Sequence, residues 1–78
     1  MDTTTAAVAH RVDAARRAQG VAVLPLSDAT GIPRTTLTRQ LAGLAEFKVS
    51  DLMRISRHLN VNAADMLPPR DNTAEVAA

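Results

Sequence analysis

The sequence predicts an all-α domain, a compact bundle of four to five helices. Apolar residues recur at helical spacing in two long segments, and a glycine or an asparagine stands where each of the first four predicted helices ends. The prolines stand at helix starts or beyond the last helix, where a missing N–H does no harm. The 78 residues allow one small domain without cysteine, so helix packing must provide the core with no help from disulfides or thiolate metal sites.

The first two helices are predicted from apolar spacing and from a proline. Three apolar residues recur with i, i+4, i+7 spacing near the start of the chain: Val8, Val12 and Ala15. They indicate a helix over about residues 4–19 that ends at Gly20. Pro25 belongs to the first turn of a second helix, about residues 24–30, which ends at Gly31.

The next two helices follow from a second proline and from an apolar stripe. Pro33 begins a third helix over about residues 33–42, and Gly43 ends it. A fourth helix is predicted over about residues 49–59. Four of its residues lie on one stripe: Leu52, Ile55, Ser56 and Leu59.

A fifth, one-turn helix is predicted near the end of the domain. Asn60 suits the end of the fourth helix, and Asn62 suits the N-cap of a turn that runs to Leu67. We therefore expect a domain over residues 1–67, followed by a flexible tail or the start of a linker over residues 68–78.

The third predicted helix has an unusual surface, with three threonines in four positions. Each threonine weakens a short helix by a few tenths of a kcal/mol relative to alanine, which indicates that the hydroxyls serve a surface. Counting about 100° per residue places one set within an arc of roughly 140°: Arg34, Thr38, Ala42, Thr35 and Arg39. The opposite side carries three leucines: Leu37, Leu41 and Leu44. One face is therefore apolar, and the other is polar and cationic.

Charge is unevenly distributed, although the formal net charge is only +1. Residues 1–60 hold eight basic and five acidic side chains, and the remaining residues are acidic overall. No stretch approaches the roughly 18 to 20 apolar residues of a membrane span, and the chain does not begin with a basic, apolar leader. We expect a soluble, cytoplasmic protein.

The second and third helices together predict a helix-turn-helix. They are short and are joined by the tripeptide "GIP". We expect Leu26 and Ala29 to pack on Leu37, and the small side chain of Ser27 to permit a close crossing of the two helices.

Four ordered features make the sequence resemble the Cro/repressor-type (Xre-type) helix-turn-helix family, which has the lambda-repressor-like fold. They are "RRAQG" before the second helix, Gly31 eleven residues after Gly20, "GIPRTTLTRQLAG" as turn plus recognition helix, and "LMRISRHLNVNAADML" as the last two helices. The resemblance runs without a gap over about residues 8–67. It implies a sequence-specific regulator of transcription that binds double-stranded DNA, expected to be a small phage or bacterial repressor that occupies an operator, with no cofactor.

The resemblance also implies which residues contact DNA. In this family the N-terminal half of the third helix reads base edges in the major groove. The matching positions are Arg34, Thr35, Thr38 and Arg39. Thr36 lies at the edge of the polar arc, and we expect it to contact the DNA backbone.

Three departures from the family pattern change the expected backbone contacts. Val23 stands where many members have a glutamine that anchors a phosphate. Leu41 replaces a glutamate that pairs with an arginine of the first helix, which leaves Arg16 free for a phosphate or for solvent. Lys48 is the only cation in the connection after the third helix, and we expect it to contact the backbone. We therefore expect modest affinity with strong salt dependence.

Catalysis, metal binding and small-molecule binding are not expected. His10 and His58 have no partners at metal-ligand spacing. Ser56, His58 and Asp51 superficially form a triad set, but the sequence has neither the strand-borne elbow nor the oxyanion turn that such a triad requires.

Two other functions stay open. The chain could be the DNA-binding half of an antitoxin or of a longer repressor, or a helical module that binds a protein through its apolar "LAEFKV" and "MLPP" segments. Phe47 caps the core or, with Leu44, forms a patch that another subunit covers. Because regulators of this kind occupy half-sites about 34 Å apart, we expect a homodimer on DNA.

Overall fold

The computed structural model describes residues 3–68, and within that range all regular structure is helical. It consists of α1 (Thr3–Ala18), α2 (Val23–Thr30), α3 (Arg34–Leu41), α4 (Val49–Leu59) and a short 3₁₀ helix (Ala63–Met66). The all-α prediction is confirmed, and each predicted helix begins and ends within one residue of its observed bounds. The predicted tail, residues 68–78, lies outside the described residues apart from its first residue. Within the described range, no helix combines the length and apolarity needed to cross a membrane.

Residues with a left-handed backbone end the helices at the predicted places. Gly31 follows α2 with φ 77°, and its N–H donates to the carbonyl of Ser27 at 2.9 Å. Asn60 follows α4 with φ 57°, and the N–H of Val61 donates to the carbonyl of Ser56 at 2.9 Å. The latter pairing is that of a Schellman motif, which satisfies carbonyls that the helix leaves unpaired.

One buried apolar cluster joins all five helical elements: Val8, Val12, Leu26, Ile32, Leu37, Leu52, Ile55, Leu59 and Met66. α2 packs against α3 and α4, whereas α1 packs against α3 and the 3₁₀ helix. The main packing partners of α3 are thus α1 and α2, and the remaining side of α3 faces outward.

The turn between α2 and α3 is fixed by a buried hydroxyl. Ser27 Oγ donates to the carbonyl of Ile32 at 2.6 Å, across the turn. The hydroxyl of Ser27, a residue predicted for its small size, therefore holds the backbone that enters α3. Leu26 and Leu37 are buried in the same core cluster, whereas Ala29, the other predicted neighbour of Leu37, is exposed and lines a cleft beside α4.

The buried side of α3 also differs from the predicted row of leucines. Leu44 is 55% exposed, because α3 ends at Leu41 and the chain turns away at Gly43. Besides Leu37, the buried residue of α3 is Gln40. The core side of α3 therefore contains an amide that the apolar pattern did not reveal.

Candidate nucleic-acid interface

The outward face of α3 carries the predicted base-contacting residues. All four are exposed: Arg34, Thr35, Thr38 and Arg39. Thr36, the predicted backbone contact, is exposed beside them. Leu37 and Gln40 are buried on the other side, and Leu41 is half-buried. Five polar side chains therefore share one surface of an eight-residue helix.

The hydroxyls on this face have no partner within residues 3–68. Two buried hydroxyls in other helices bond to the backbone of their own helix. Thr30 Oγ1 donates to the carbonyl of Leu26 at 2.7 Å, and Ser56 Oγ donates to the carbonyl of Leu52 at 2.6 Å. The three threonines of α3 make no such bond, so their hydroxyls can donate to or accept from a bound molecule.

The positive charge on this face is also unpaired in the described part of the chain. Neither the guanidinium of Arg34 nor that of Arg39 lies within hydrogen-bond or ion-pair distance of a residue in that part. The first turn of α3 contains no acidic residue, and Pro33 at its N-cap offers no side-chain acceptor. The positive end of the helix dipole therefore adds to the two guanidinium charges, a combination that favours anions.

Lys48, a second predicted backbone contact, is exposed at the N-cap of α4. Gln40, on the core side of α3, forms a buried link to the residues on both sides of Lys48, and the sequence did not predict it. Gln40 Nε2 donates to the carbonyl of Glu46 at 3.2 Å and to Asp51 Oδ2 at 3.1 Å. One feature of the sequence does indicate that Gln40 is buried: it lies about 60° around the helix from Leu37, on the core side.

Arg16 does not offer the free guanidinium that was predicted. Its Nε and Nη2 donate to Asp13 Oδ1 at 3.1 and 2.6 Å, and its Nη1 donates to the carbonyl of Val21 at 3.0 Å. Only 14% of the side chain is exposed. The prediction of a free guanidinium is therefore wrong. It rested on the missing glutamate at position 41 and left out Asp13, which lies one turn before Arg16. Arg16 instead holds the connection between α1 and α2.

Arg17 binds the same carboxylate, with Nε donating to Asp13 Oδ2 at 2.7 Å. Burial acts to raise the pKa of Asp13, but the hydrogen bonds and positive charges of Arg16 and Arg17 outweigh burial and hold that pKa below the ordinary 3.8. Asp13 therefore stays ionised, and this cluster stabilises α1 near its C-terminus.

A second cationic surface lies away from α3. Arg54, Arg57 and His58 of α4 line a cleft of about 280 Å³, with Ala29 of α2 as their neighbour. None of these three α4 side chains has an ion-pair or hydrogen-bond partner in residues 3–68. The two arginines of this cleft are therefore suitable control positions for substitutions of the two arginines on α3.

An apolar groove of about 200 Å³ brings part of the "LAEFKV" segment beside Leu67, a residue of the "MLPP" segment. Phe47, Val49 and Leu67 line it, together with residues near the start of α1. Phe47 is half-buried and packs against the core, as in the first of its two predicted roles. Val49 and Leu67 are 76% and 48% exposed, so the groove has apolar rims that solvent reaches.

Comparison with known proteins identifies the fold. No family model matches the chain, and no curated protein sequence matches it. Among solved structures, it is similar to the restriction-modification controller protein C.AhdI from Aeromonas hydrophila, with a TM-score of 0.76 at 14% identity, over 81% of this chain and 96% of that chain. It is also similar to the DNA-binding domain of BldD, with a TM-score of 0.74 at 15% identity, over 87% of this chain and the whole of that chain.

The same arrangement of helices occurs within an enzyme. The hydroxypropylphosphonic acid epoxidase from S. wedmorenis matches with a TM-score of 0.79 at 19% identity, over 91% of this chain and 38% of that chain. The match shows that this helical unit also forms part of larger proteins. At these identities the likeness concerns architecture, and the function has to be argued from the exposed residues. The chain therefore has the lambda-repressor-like helix-turn-helix fold, with α2 and α3 as its helix-turn-helix.

Proposed function

We propose that this protein is a sequence-specific, double-stranded DNA-binding regulator of transcription that places α3 in the major groove. The observation that carries the proposal is the unpaired outward face of α3, with three hydroxyls and two guanidinium groups on one exposed surface. Such a surface matches the donors, acceptors and methyl groups that base edges present in the major groove.

Each residue of the face has a role that its chemistry supports. Arg39 donates two hydrogen bonds to guanine O6 and N7, the commonest specific contact in the major groove. Thr35 and Thr38 offer a hydroxyl for a base edge and a methyl group for the methyl group of thymine. Arg34, near the start of the helix, reads a base or holds a phosphate. These short threonines let α3 lie deep in the groove.

Thr36 and Lys48 provide the backbone contacts. Thr36 lies at the edge of the exposed arc, and Lys48 begins α4 with an exposed side chain. Arg16 is left out of this set because Asp13 and the carbonyl of Val21 already occupy its guanidinium. With few phosphate contacts, affinity is modest and depends on paired half-sites.

The similar structures support this proposal without deciding it. One is described as a DNA-binding domain and another as a controller of restriction and modification. A small phage or bacterial repressor that acts in the cytoplasm without catalysis fits these relatives and the size of the domain. The epoxidase that contains the same fold is the reason why the outward face of α3, and not the fold, carries the proposal.

A homodimer is the second part of the proposal, with the apolar groove at Phe47, Val49 and Leu67 as its contact surface. One module of this size reads few bases, and two copies are needed to occupy half-sites about 34 Å apart. The exposed apolar rims of the groove are the surface that a second copy would cover. Because the groove is small, the dimer is weak in solution and forms mainly on DNA.

The deciding experiment selects bound sequences from a pool of random DNA duplexes at two salt concentrations. The proposal predicts enrichment of one motif with two-fold symmetry and binding that weakens steeply with salt. An Arg34→Ala/Arg39→Ala variant should lose the motif. An Arg54→Ala/Arg57→Ala variant removes the same charge from the cleft beside α4 and should keep it.

The same groove favours one alternative, a helical module that binds another protein. Phe47 and Val49 of one apolar segment line the groove together with Leu67, which is distant in the sequence. In that case no duplex is retained even at low salt, and substitution of Val49, but not of Arg39, abolishes capture of the partner.

An antitoxin, or the DNA-binding part of a longer repressor, would give the same result with DNA as the main proposal. A toxin encoded beside the gene would indicate an antitoxin, and an extended reading frame would indicate a longer repressor.

A further inference from the structure

Gln40 is the residue of α3 that the proposed function leaves unexplained. It lies on the core side of the helix and is only 2% exposed. Its Oε1 has no hydrogen-bond partner within residues 3–68. A buried amide with one unpaired polar atom is unfavourable, and a leucine at this position would avoid it. Packing alone therefore does not account for a glutamine here.

The amide nitrogen of Gln40 does make well-defined contacts. It donates to the carbonyl of Glu46 at 3.2 Å and to Asp51 Oδ2 at 3.1 Å. Both partners are acceptors, so the reverse orientation of the amide would bring oxygen against oxygen. The side chain thus has one favourable orientation, with both Nε2 hydrogens used.

These two hydrogen bonds connect α3 with the segment that carries Lys48. Glu46 lies two residues before Lys48, in the connection between α3 and α4, and Asp51 lies in the first turn of α4. The main packing partners of α3 are α1 and α2, not α4. Gln40 therefore supplies a direct polar link between the recognition helix and the residues on both sides of Lys48.

We propose that Gln40 is a positioning residue, which holds Lys48 at a fixed place relative to the base-reading face of α3. This inference rests on the proposed binding of DNA. Gln40 itself touches no DNA, because it is buried and points away from the exposed face. It acts by keeping the phosphate contact of Lys48 in register with the base contact of its neighbour Arg39.

The expected effect is a change in salt dependence. Each phosphate contact contributes about −0.9 to the slope of log K against log salt concentration. If Gln40 holds Lys48, then Gln40→Met should make the slope shallower by about 0.9, and should weaken binding about eightfold at 0.1 M salt. Methionine has a similar size without the hydrogen bonds. The motif selected from random duplexes should stay the same.

The test is a double-mutant cycle on the selected DNA site. Gln40→Met and Lys48→Ala should each weaken binding, and the double variant should bind no more weakly than Lys48→Ala alone, because both changes remove the same contact. Multiplied losses, or a wild-type slope in Gln40→Met, would overturn the proposal. Asp51→Ala should behave as Gln40→Met does, and it provides a second route if the first variant folds poorly. Asp51→Asn keeps an acceptor oxygen and should bind as the wild type does.

Hydrogen exchange of the free protein separates this inference from the proposed function. Backbone amides of residues 44–48 should exchange faster in Gln40→Met than in the wild type, and unchanged exchange would reject the link itself. If the link is present but no duplex is retained by the wild type, the proposed function fails, and the role of Gln40 in binding DNA fails with it.

Discussion

Arg39 is the residue on which base discrimination should depend most. Its guanidinium is exposed on α3 and unpaired within the described residues, so no internal contact has to break before it binds. We expect Arg39→Ala to relax the preference at one base pair, with a loss of about 1–3 kcal/mol in discrimination there. Selection from random duplexes with both proteins measures this loss position by position. Arg54→Ala removes an equal charge from α4 and should leave the profile unchanged.

Ser27 shows how a single hydroxyl can hold the turn that aims α3. Its hydrogen bond to the carbonyl of Ile32 is buried and 2.6 Å long. Ser27→Ala leaves that carbonyl without its donor, which should lower the free energy of unfolding by about 1–2 kcal/mol. Urea denaturation measures the change. Ser50→Ala, at an exposed position in the first turn of α4, is the matched control and should change the stability by less than about 0.5 kcal/mol.

Asp13 should make stability depend on pH. Its pKa is below 3.8 in the folded state, because the contacts with Arg16 and Arg17 outweigh burial. Ionised Asp13 therefore stabilises the fold fully above about pH 5, and this contribution is lost as the pH falls below 3.8 through the folded-state pKa. Asp13→Asn should lower stability by less than about 1 kcal/mol at pH 7, since the pair is partly solvated. Denaturation curves of the two proteins should converge at low pH, and a constant difference would contradict the assignment.

At the scale of the element, helix ends could be predicted because their signals are local. Gly31 and Asn60 adopt the left-handed backbone that stops α2 and α4, and the apolar stripe of α4 is buried as expected. The pairing of Arg16 with the aspartate three residues earlier in the same helix was also within reach of local spacing, but the role of Gln40 was not. Gln40 bonds to Asp51, eleven residues away, and helical periodicity carries no information on such a contact. The apolar pattern located the face of α3, whereas the polar link behind it depends on tertiary structure.

The turn of the helix-turn-helix gives an element-scale test of backbone conformation. Gly31 has φ 77°, and an added Cβ there would meet no atom within 4 Å. Gly31→Ala should therefore destabilise the protein through backbone strain alone, by about 1 kcal/mol. Asn60 already tolerates φ 57° with a side chain, so Asn60→Gly should change the stability by only a few tenths of a kcal/mol. Thermal unfolding of both variants checks the difference, and equal losses would contradict this account.

At the scale of the whole molecule, the bundle separates two surfaces with different chemistry. The unpaired polar face of α3 is suited to base edges, and the apolar groove at Phe47 and Val49 is suited to a second copy of the chain. The connection between α3 and α4 contributes Phe47 to the groove and leads to Lys48, the proposed phosphate contact, at the N-cap of α4. In the proposed complex, dimer formation and the phosphate contact of Lys48 are therefore coupled, because a shift of this connection would move both residues.

The dimer proposal can be tested without disturbing the DNA-reading face. Val49→Ser and Leu67→Ser make the rims of the groove polar at positions that are 76% and 48% exposed, so little stability should be lost. We expect these variants to bind a single half-site as the wild type does, but to lose the tighter binding to a site with two half-sites. Leu24→Ser changes a leucine that is 52% exposed on α2, outside the groove, and should leave two-site binding unchanged. If the groove variants kept the full advantage of the paired site, the contact between copies would have to lie on another surface.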